Sequence, residues 1–216
     1  MSDALAEALI ALADDAETLA RLHDRELDAP ALDALRGLGF PANLALLPAG
    51  EATRSAWQEM AAALPSRSDP AMIDALAVDY AAIYLTGAYR ASPTESPWLD
   101  DDRLTCQQAM FDLRSIYREV GLKAANWRWR SDDHLVLQLL FVSHCLRSSA
   151  GADALHKASE FLTRHLLNWL PRFVAQVVLR AEHDFYPALS NLTLSWCEQI
   201  REMSNVPIAE NQYVVE

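Results

Sequence analysis

The chain of 216 residues is long enough for one compact domain that buries roughly 70% of the surface of its unfolded state. Hydrophobic residues make up 51% and charged residues 22%, with only 6 glycines, and this composition excludes a disordered or low-complexity chain. The formal net charge of -12 argues against nucleic acid as a partner, because the field of the protein repels phosphate backbones.

Four helices are predicted in the first part of the chain from apolar residues at spacings of three and four and from their start and stop signals. An aspartate that caps free amides, followed by a proline whose ring already has helical φ, is the strongest start signal. The predicted helices are 3–23, a short one from Asp28 and Pro30 to Gly39, 53–64, and one from Asp69 and Pro70 to Gly87.

The same signals predict five helices from Asp100 onwards. Pro171 is predicted to end or kink a helix, because it lacks an amide hydrogen and clashes with the preceding turn. The predicted helices are one that begins at Asp100–Asp102, buries Cys106 and ends at Gly121, one capped by Ser131 and ending near Gly151, one from Leu155 to Trp169, one from Val174 to Ala181, and one from Pro187 to Met203.

No stretch alternates like a strand between hairpin turns. We therefore predict an all-α fold, a compact bundle of about nine or ten helices in two halves. The predicted parts are an N-terminal half at 1–121, a hinge connector at 122–131, a C-terminal half at 132–204 and a tail at 205–216.

The three cysteines, Cys106, Cys145 and Cys197, are odd in number and widely spaced, which predicts reduced, buried thiols rather than disulfides or a zinc site. The first residues include acids and no basic segment, and the longest apolar stretches fall short of the ~18 residues that a bilayer requires. We therefore expect a cytoplasmic protein without stable membrane insertion.

Sequence motifs of enzymes and metal sites are missing from the chain. None of the six histidines has a glutamate three positions before it, and the nearest match, Asp153 with His156, is interpreted as a solvated helix start. There is no HExxH, GxxxxGK[ST], GxGxxG or GxSxG motif. We predict no catalytic residues, metal or cofactor, and an enzyme whose reactive groups meet from distant positions stays an open alternative.

The first of two connectors between predicted helices, from Ser92 to Trp98, is unusual in a helical protein, since it holds two prolines, a carboxylate and a tryptophan. Both prolines restrict φ and bias the preceding residue towards extended conformations, so the segment should be stiff. Two interpretations stay open. Either Glu95 faces a cation and Trp98 offers a flat apolar surface, or Trp98 packs on the core and Glu95 is solvated.

A second connector leads into residues 131–134, with the sequence SDDH. Acidic side chains at a helix start bond free amides, so capping is one interpretation and ligand binding is the other. Trp127 and Trp129 alternate with arginines in the same connector. Two interpretations of these tryptophans stay open: they pack on the core as part of a hinge, or they form an exposed binding surface.

Six stretches in a fixed order along residues 70–195 resemble one known pattern. They are Tyr80-x-x-Ile83-Tyr84, Pro93-Thr94-Glu95-Ser96, Tyr117-Arg118-Glu119-Val120-Gly121-Leu122, Asp133-His134-Leu135 running to Leu139 and Phe141, His165 to Phe173, and Phe185-Tyr186. In this order they resemble the TorD/DmsD family of redox-enzyme maturation chaperones. The chain departs from the family pattern at Asp132, where proline is usual, and at Gln138, where glutamate is usual.

The resemblance implies a cytoplasmic chaperone that binds the twin-arginine signal peptide, or leader, of a molybdopterin-dependent oxidoreductase precursor. It would support cofactor insertion and prevent premature export. The implied partners are the leader and the body of the catalytic-subunit precursor. A leader combines two arginines with an apolar segment, so its receptor needs carboxylates beside an apolar groove.

We accordingly predict that the two connectors meet and form a shallow apolar trough edged with negative charge. Glu95 and Asp133 are assigned to the arginines of the leader, and His134 to holding the connectors together. The predicted signal-peptide site comprises Tyr80, Ile83, Tyr84, Pro93, Glu95, Ser96, Trp98, Asp133 and His134.

Two other classes of function stay open. A general helical adaptor would bind a folded partner without a leader, and an unrecognised helical enzyme or nucleotide-binding protein would show turnover. A monomer is the default expectation. Exchange of the C-terminal half through the connector at 122–131 would instead give a domain-swapped dimer.

Overall fold

The computed structural model describes residues 3–124, 128–148 and 151–204. Within these ranges the chain forms ten α-helices and no strand, which confirms the all-α prediction. None of these helices is both long and apolar enough to traverse a bilayer. The helices are α1 (Asp3–Asp24), α2 (Ala29–Leu38), α3 (Glu51–Ala63), α4 (Pro70–Tyr80), α5 (Ser96–Leu99), α6 (Gln108–Glu119), α7 (Leu135–Ser148), α8 (Ala152–Phe161), α9 (Leu167–Arg180) and α10 (Phe185–Met203).

Helices from both predicted halves share one core. α1 packs along α7, and α10 packs against α3 and α9. The largest fully buried side chains include Trp169, Trp196, Tyr186, Phe173 and Phe185. Full burial of a side chain such as Phe173 contributes about 1.5–3 kcal/mol of hydrophobic free energy. The boundary between the halves stays a prediction, and the predicted tail at 205–216 lies outside the described residues.

The start signals of the early helices act as the sequence predicts. Asp28 Oδ1 accepts a hydrogen bond from the amide of Ala31 at 2.8 Å, and Asp69 Oδ1 accepts one from the amide of Met72 at 3.1 Å. Gly39 ends α2 with φ of 72°, a conformation that favours glycine. These local signals therefore place α2 and α4 correctly.

The predicted helix start at Asp100–Asp102 is wrong, because α6 begins only at Gln108. Asp100 accepts hydrogen bonds from the amide of Arg103 through its carbonyl and from the amide of Leu104 through its carboxylate, so it forms a turn instead. Cys106 is exposed and has φ of 59°. The prediction of buried thiols thus holds for the other two cysteines only.

Pro171 does not end a helix, so the first of the two predicted outcomes, an end rather than a kink, is wrong. It lies inside α9, which follows a π-helical turn at Leu162–Leu166 without interruption. Trp169, Leu170 and Phe173 are all buried on either side of it. Because tertiary packing supplies most of the stability of a helix, this burial outweighs the hydrogen bond that the proline removes.

A buried aspartate anchors the chain that leads to the first connector. Asp79 Oδ1 accepts hydrogen bonds from the hydroxyl of Tyr89 at 2.8 Å and from the amide of Glu182 at 3.1 Å. Its Oδ2 accepts one from the amide of His183 at 2.9 Å. The segment after α4 is therefore held against the start of α10.

Candidate functional site

The two connectors meet in space, as predicted. Thr94 and His134 form an isolated antiparallel bridge. The amide of Glu95 donates to the carbonyl of Asp133 at 3.1 Å, and the amide of Leu135 donates to the carbonyl of Pro93 at 2.8 Å. The stretch around residue 94 is thus hydrogen-bonded to the start of α7.

Asp133 is the centre of the contact between the connectors. Its Oδ2 accepts hydrogen bonds from the Ser96 amide at 2.8 Å and from the Ser96 hydroxyl at 2.5 Å. Ser96 Oγ also accepts a hydrogen bond from the amide of Gln107 at 3.1 Å. Asp133 is 0% exposed, so its carboxylate acts as an internal cap that joins two connectors and the start of α6.

Glu95 lies beside it and is also buried, at 1% exposure. Its Oε2 accepts a hydrogen bond from Gln138 Nε2 at 3.0 Å, and its Oε1 lies 3.3 Å from His165 Nδ1. Burial raises the pKa of Glu95, and the neighbouring His165 opposes that rise. A glutamine at position 138 supplies a neutral donor, whereas a glutamate there would add a third acid to the buried space that Glu95 and Asp133 share.

We call this buried group of Glu95, Ser96, Asp133, Gln138 and His165 the junction. Its carboxylates point into the protein. There Asp133 binds the amide and hydroxyl of Ser96, and Glu95 binds the side-chain amide of Gln138. The prediction that Glu95 and Asp133 edge a trough with negative charge is therefore corrected. In this structure both carboxylates lie beneath the surface and brace it.

A cavity of about 620 Å³ opens beside the junction. It lies between the end of a π-helical turn at Ala81–Leu85, the first connector and the second connector. The cavity is lined by Ile83, Tyr84, Leu85, Thr86, Gly87, Arg90, Ser92, Pro93, Thr94, Pro97, Trp98, Arg103, Thr105, Trp129, Arg130, Ser131 and His134.

Five of the nine predicted site residues line this cavity, and four do not. The lining members are Ile83, Tyr84, Pro93, Trp98 and His134. The others, Tyr80, Glu95, Ser96 and Asp133, are buried behind it. The predicted set thus divides into a wall and its support.

Trp98 is held in place as part of that wall. Its indole Nε1 donates a hydrogen bond to the carbonyl of Ser92 at 2.8 Å, which closes the proline-rich segment on itself. The ring is partly buried against the core. Both interpretations of the segment therefore capture part of the structure, since Trp98 packs on the core and also presents a face to the cavity.

Tyr84 contributes to the cavity wall from the π-helical turn, a distortion that is frequent at functional sites. Thr193 Oγ1 donates to the carbonyl of Leu189 at 2.8 Å, so it accepts from Nε2–H of His23 at 2.9 Å. Nδ1 of His23 then accepts from the Tyr84 hydroxyl at 2.5 Å. Burial lowers the pKa of His23 to about 3, which keeps the ring neutral.

Tyr80 supports this wall from behind. Its ring lies 4.8 Å from that of Tyr84, and its hydroxyl donates to the carbonyl of Asp24 at 2.7 Å. The carboxylate of Asp24 pairs with Arg130 on the rim of the cavity. The end of α1 is therefore connected to both sides of the cavity.

His134 contributes through its backbone and its ring. Its backbone forms the bridge to Thr94, and its ring Nδ1 accepts a hydrogen bond from the amide of Val136 at 3.1 Å. Burial and the charge of Arg130 lower the pKa of His134 to about 3. The ring is therefore neutral, as an acceptor at Nδ1 requires.

Sequence reasoning missed the charge of the rim. Arg90, Arg103 and Arg130 line the cavity, and no carboxylate does so among its described lining residues. Trp129, which the sequence left open, is 92% exposed on the same rim, while Trp127 lies outside the described residues. Arginines in irregular segments have no periodicity that would mark them as neighbours.

A second groove of about 780 Å³ lies on the other face of Trp98 and Pro97. Asp100, Asp101 and Leu179 are among its lining residues. In the described part of the chain, no group of three or more histidine, cysteine or acidic side chains is arranged to hold a metal ion.

The amino-acid sequence is similar to one protein family and to several chaperones. Residues 48–175 match the family described as nitrate reductase delta subunit. A protein named chaperone protein TorD from Shewanella pealeana is 32% identical over 143 residues, which cover 62% of this chain and 62% of that protein. The TorD proteins of Shewanella sp. strain ANA-3 and of Vibrio cholerae El Tor Inaba are 29% and 28% identical.

The extent of these matches differs between the relatives. The match to strain ANA-3 covers 86% of this chain and 90% of that protein, and the match to V. cholerae covers 57% and 60%. For the S. pealeana protein, the chain spans less than two thirds of the relative's length.

Proposed function

Because the chain belongs to the nitrate reductase delta subunit family, that of the TorD and DmsD chaperones, we propose that it is a cytoplasmic chaperone for a molybdopterin-dependent oxidoreductase precursor. It binds the twin-arginine leader of that precursor, supports insertion of the cofactor and prevents premature export. The proposed state is a monomer, in which the connector at 122–131 acts as the hinge between the two halves.

The cavity between the connectors is the observation that carries this proposal. At about 620 Å³ it falls in the size range of sites that bury most of a bound ligand. The aromatic side chains of Tyr84 and Trp98 line it, and Pro93 contributes further apolar surface. Such walls suit the apolar segment of a leader.

The junction gives this cavity its rigidity. Glu95 and Asp133 hold the two connectors together from within, so the walls are preorganised and little ordering is needed when a peptide binds. In the proposal, the junction residues, Tyr80 and the fully buried Ile83 act by positioning the walls. The lining residues that contact the leader are Tyr84, Pro93, Trp98 and His134.

Isothermal titration calorimetry with a synthetic peptide tests the proposal. The peptide holds an arginine pair followed by an apolar segment, and a scrambled peptide of the same composition is the control. We expect heat of binding from the first peptide only. Equal heat from both, or from neither, contradicts the proposal.

Co-purification of the precursor separates a chaperone of this type from a general adaptor. A precursor with an intact leader should co-purify with the protein, and the same precursor without its leader should not. An adaptor for folded partners would retain both forms to the same extent.

A further inference from the structure

Two arginines on the rim of the cavity have no partner. Arg90 and Arg103 are exposed, and within residues 3–124, 128–148 and 151–204 neither guanidinium group forms a hydrogen bond or an ion pair, although both backbone amides are hydrogen-bonded in turns. Their φ values are 55° and 56°, in the left-handed region that few residues other than glycine adopt. Two tight turns therefore place unpaired guanidinium groups at the same opening.

The sign of this charge is opposite to that of the chain as a whole. The net charge is -12, with 30 acidic residues against 18 lysines and arginines, so an average surface of this protein is negative. Nevertheless, no carboxylate occurs among the described lining residues of the cavity. The third arginine, Arg130, differs from the other two because Asp24 neutralises it.

This charge decides which part of a leader fits. An arginine pair placed at the rim would meet Arg90 and Arg103 without any exposed carboxylate in the described lining to offset the repulsion. The apolar walls, in contrast, include Trp98 and the exposed side chains of Leu85 and Trp129. A segment that is apolar and carries negative charge complements both features.

We propose that the cavity accepts the segment of the leader that follows its arginine pair, and that it selects leaders in which this apolar segment carries an acidic side chain. Arg90 and Arg103 are the residues that recognise this acid. The inference depends on the proposed leader binding and adds to it the charge that the cavity selects. The arginine pair of the leader lies outside the cavity.

A charge-swap experiment tests this selection. Three labelled peptides share an arginine pair and a leucine-rich segment, and they differ at one position of that segment, which is Glu, Gln or Lys. Fluorescence anisotropy measures their affinity for the wild-type protein and for the Arg90→Glu and Arg103→Glu variants.

We expect the wild type to bind the Glu peptide about threefold more tightly than the Gln peptide and the Lys peptide most weakly, since exposed ion pairs contribute modestly. The Arg103→Glu variant should reverse this order. The difference should disappear in about 0.5 M salt, where the Debye length falls to roughly 4 Å.

The Arg54→Glu variant is the matched control, since Arg54 is exposed on α3 and does not line the cavity. It should keep the wild-type order, and a reversal there would overturn the inference by showing an effect of net charge. Equal binding of all three peptides to the wild type would overturn the inference and leave leader binding intact. Failure of every arginine-paired peptide to bind would overturn the proposed function as well.

Discussion

The junction and the cavity are two faces of one contact between connectors, and their chemistry is opposite. The junction is buried and holds two hydrogen-bonded carboxylates, whereas the cavity is open, combines apolar with polar lining residues and is rimmed by arginines. Pro93 and Glu95 are separated by one residue, yet one lines the cavity and the other belongs to the junction. Stability and ligand binding should therefore respond to different substitutions.

The largest effect is expected from Asp133→Ala in the junction. The change removes the acceptor of two hydrogen bonds and leaves the amide and hydroxyl of Ser96 buried without it, so the free energy of unfolding should fall by about 3 kcal/mol. Urea unfolding measures this. Asp102→Ala removes an exposed acid from the neighbouring turn and should change stability by less than about 0.5 kcal/mol. Equal effects of the two changes would contradict the bracing role.

Trp98→Ala should act mainly on the cavity. Buried aromatic side chains dominate binding energies, so affinity for the leader peptide should fall about 30-fold, which corresponds to about 2 kcal/mol. Calorimetry on the folded variant measures this. Phe111→Ala, on an exposed face of α6 away from the cavity, should leave affinity unchanged. If the affinity of the Trp98→Ala variant were unaltered, Trp98 would not be a contact residue for the leader.

The pH dependence of the free energy of unfolding should include a contribution from His23, which is hydrogen-bonded to the hydroxyl of Tyr84. Its folded pKa of about 3 lies below the ordinary 6.5, so the unfolded chain takes up a proton first as the pH falls. The stability contributed by neutral His23 is therefore present above pH 6.5 and is lost towards pH 3.

The His23→Gln variant should reduce the slope of unfolding free energy against pH by up to about 1.4 kcal/mol per unit. Urea unfolding between neutral pH and about pH 5 measures the slope. His156→Gln, at an exposed position on α8, should keep the slope of the wild type. An identical slope in the His23 variant would show that the ring takes up its proton at the same pH in the folded and in the unfolded chain.

The smallest effect is expected from Glu95→Gln. Burial raises the pKa of Glu95 above 4.5, so the folded chain keeps its proton to a higher pH than the unfolded chain does. The contribution of Glu95 to stability should therefore decline as the pH rises above 4.5, and the variant should gain stability relative to the wild type.

The difference in unfolding free energy between Glu95→Gln and the wild type, followed from acidic to alkaline pH, measures this gain. His165 and Gln138 oppose the burial, which limits the size of the effect. Leader affinity should stay unchanged, because the carboxylate does not line the cavity. A large loss of affinity would instead indicate that Glu95 contacts the leader.

Most of the helices follow from patterns within single segments. The caps at Asp28 and Asp69 and the apolar spacing of α1 depend on residues three or four positions apart, which a sequence displays directly. The errors at Asp100 and Pro171 have the opposite cause. At the first position a turn uses the amides, and at the second the burial of Trp169, Leu170 and Phe173 in the core keeps the helix intact.

The site was predicted in part. The order of short stretches indicated which two connectors matter, and the structure joins them through Thr94 and His134. The unpaired arginines of the rim were missed, because nothing in the sequence separates Arg90 and Arg103 from the other basic residues. Their position depends on two turns that lie close together only in the folded chain.

Taken alone, the amino-acid sequence determined the all-α class, the positions of most helices and the two connectors that form the candidate site. Periodicity and capping are local properties, and they do not depend on how the helices pack. Only the tertiary structure decided which way Glu95 and Asp133 face. Irregular segments have no period that separates an inner from an outer face, so the direction of each side chain is set by Gln138, His165 and Ser96, which reach it from elsewhere in the chain.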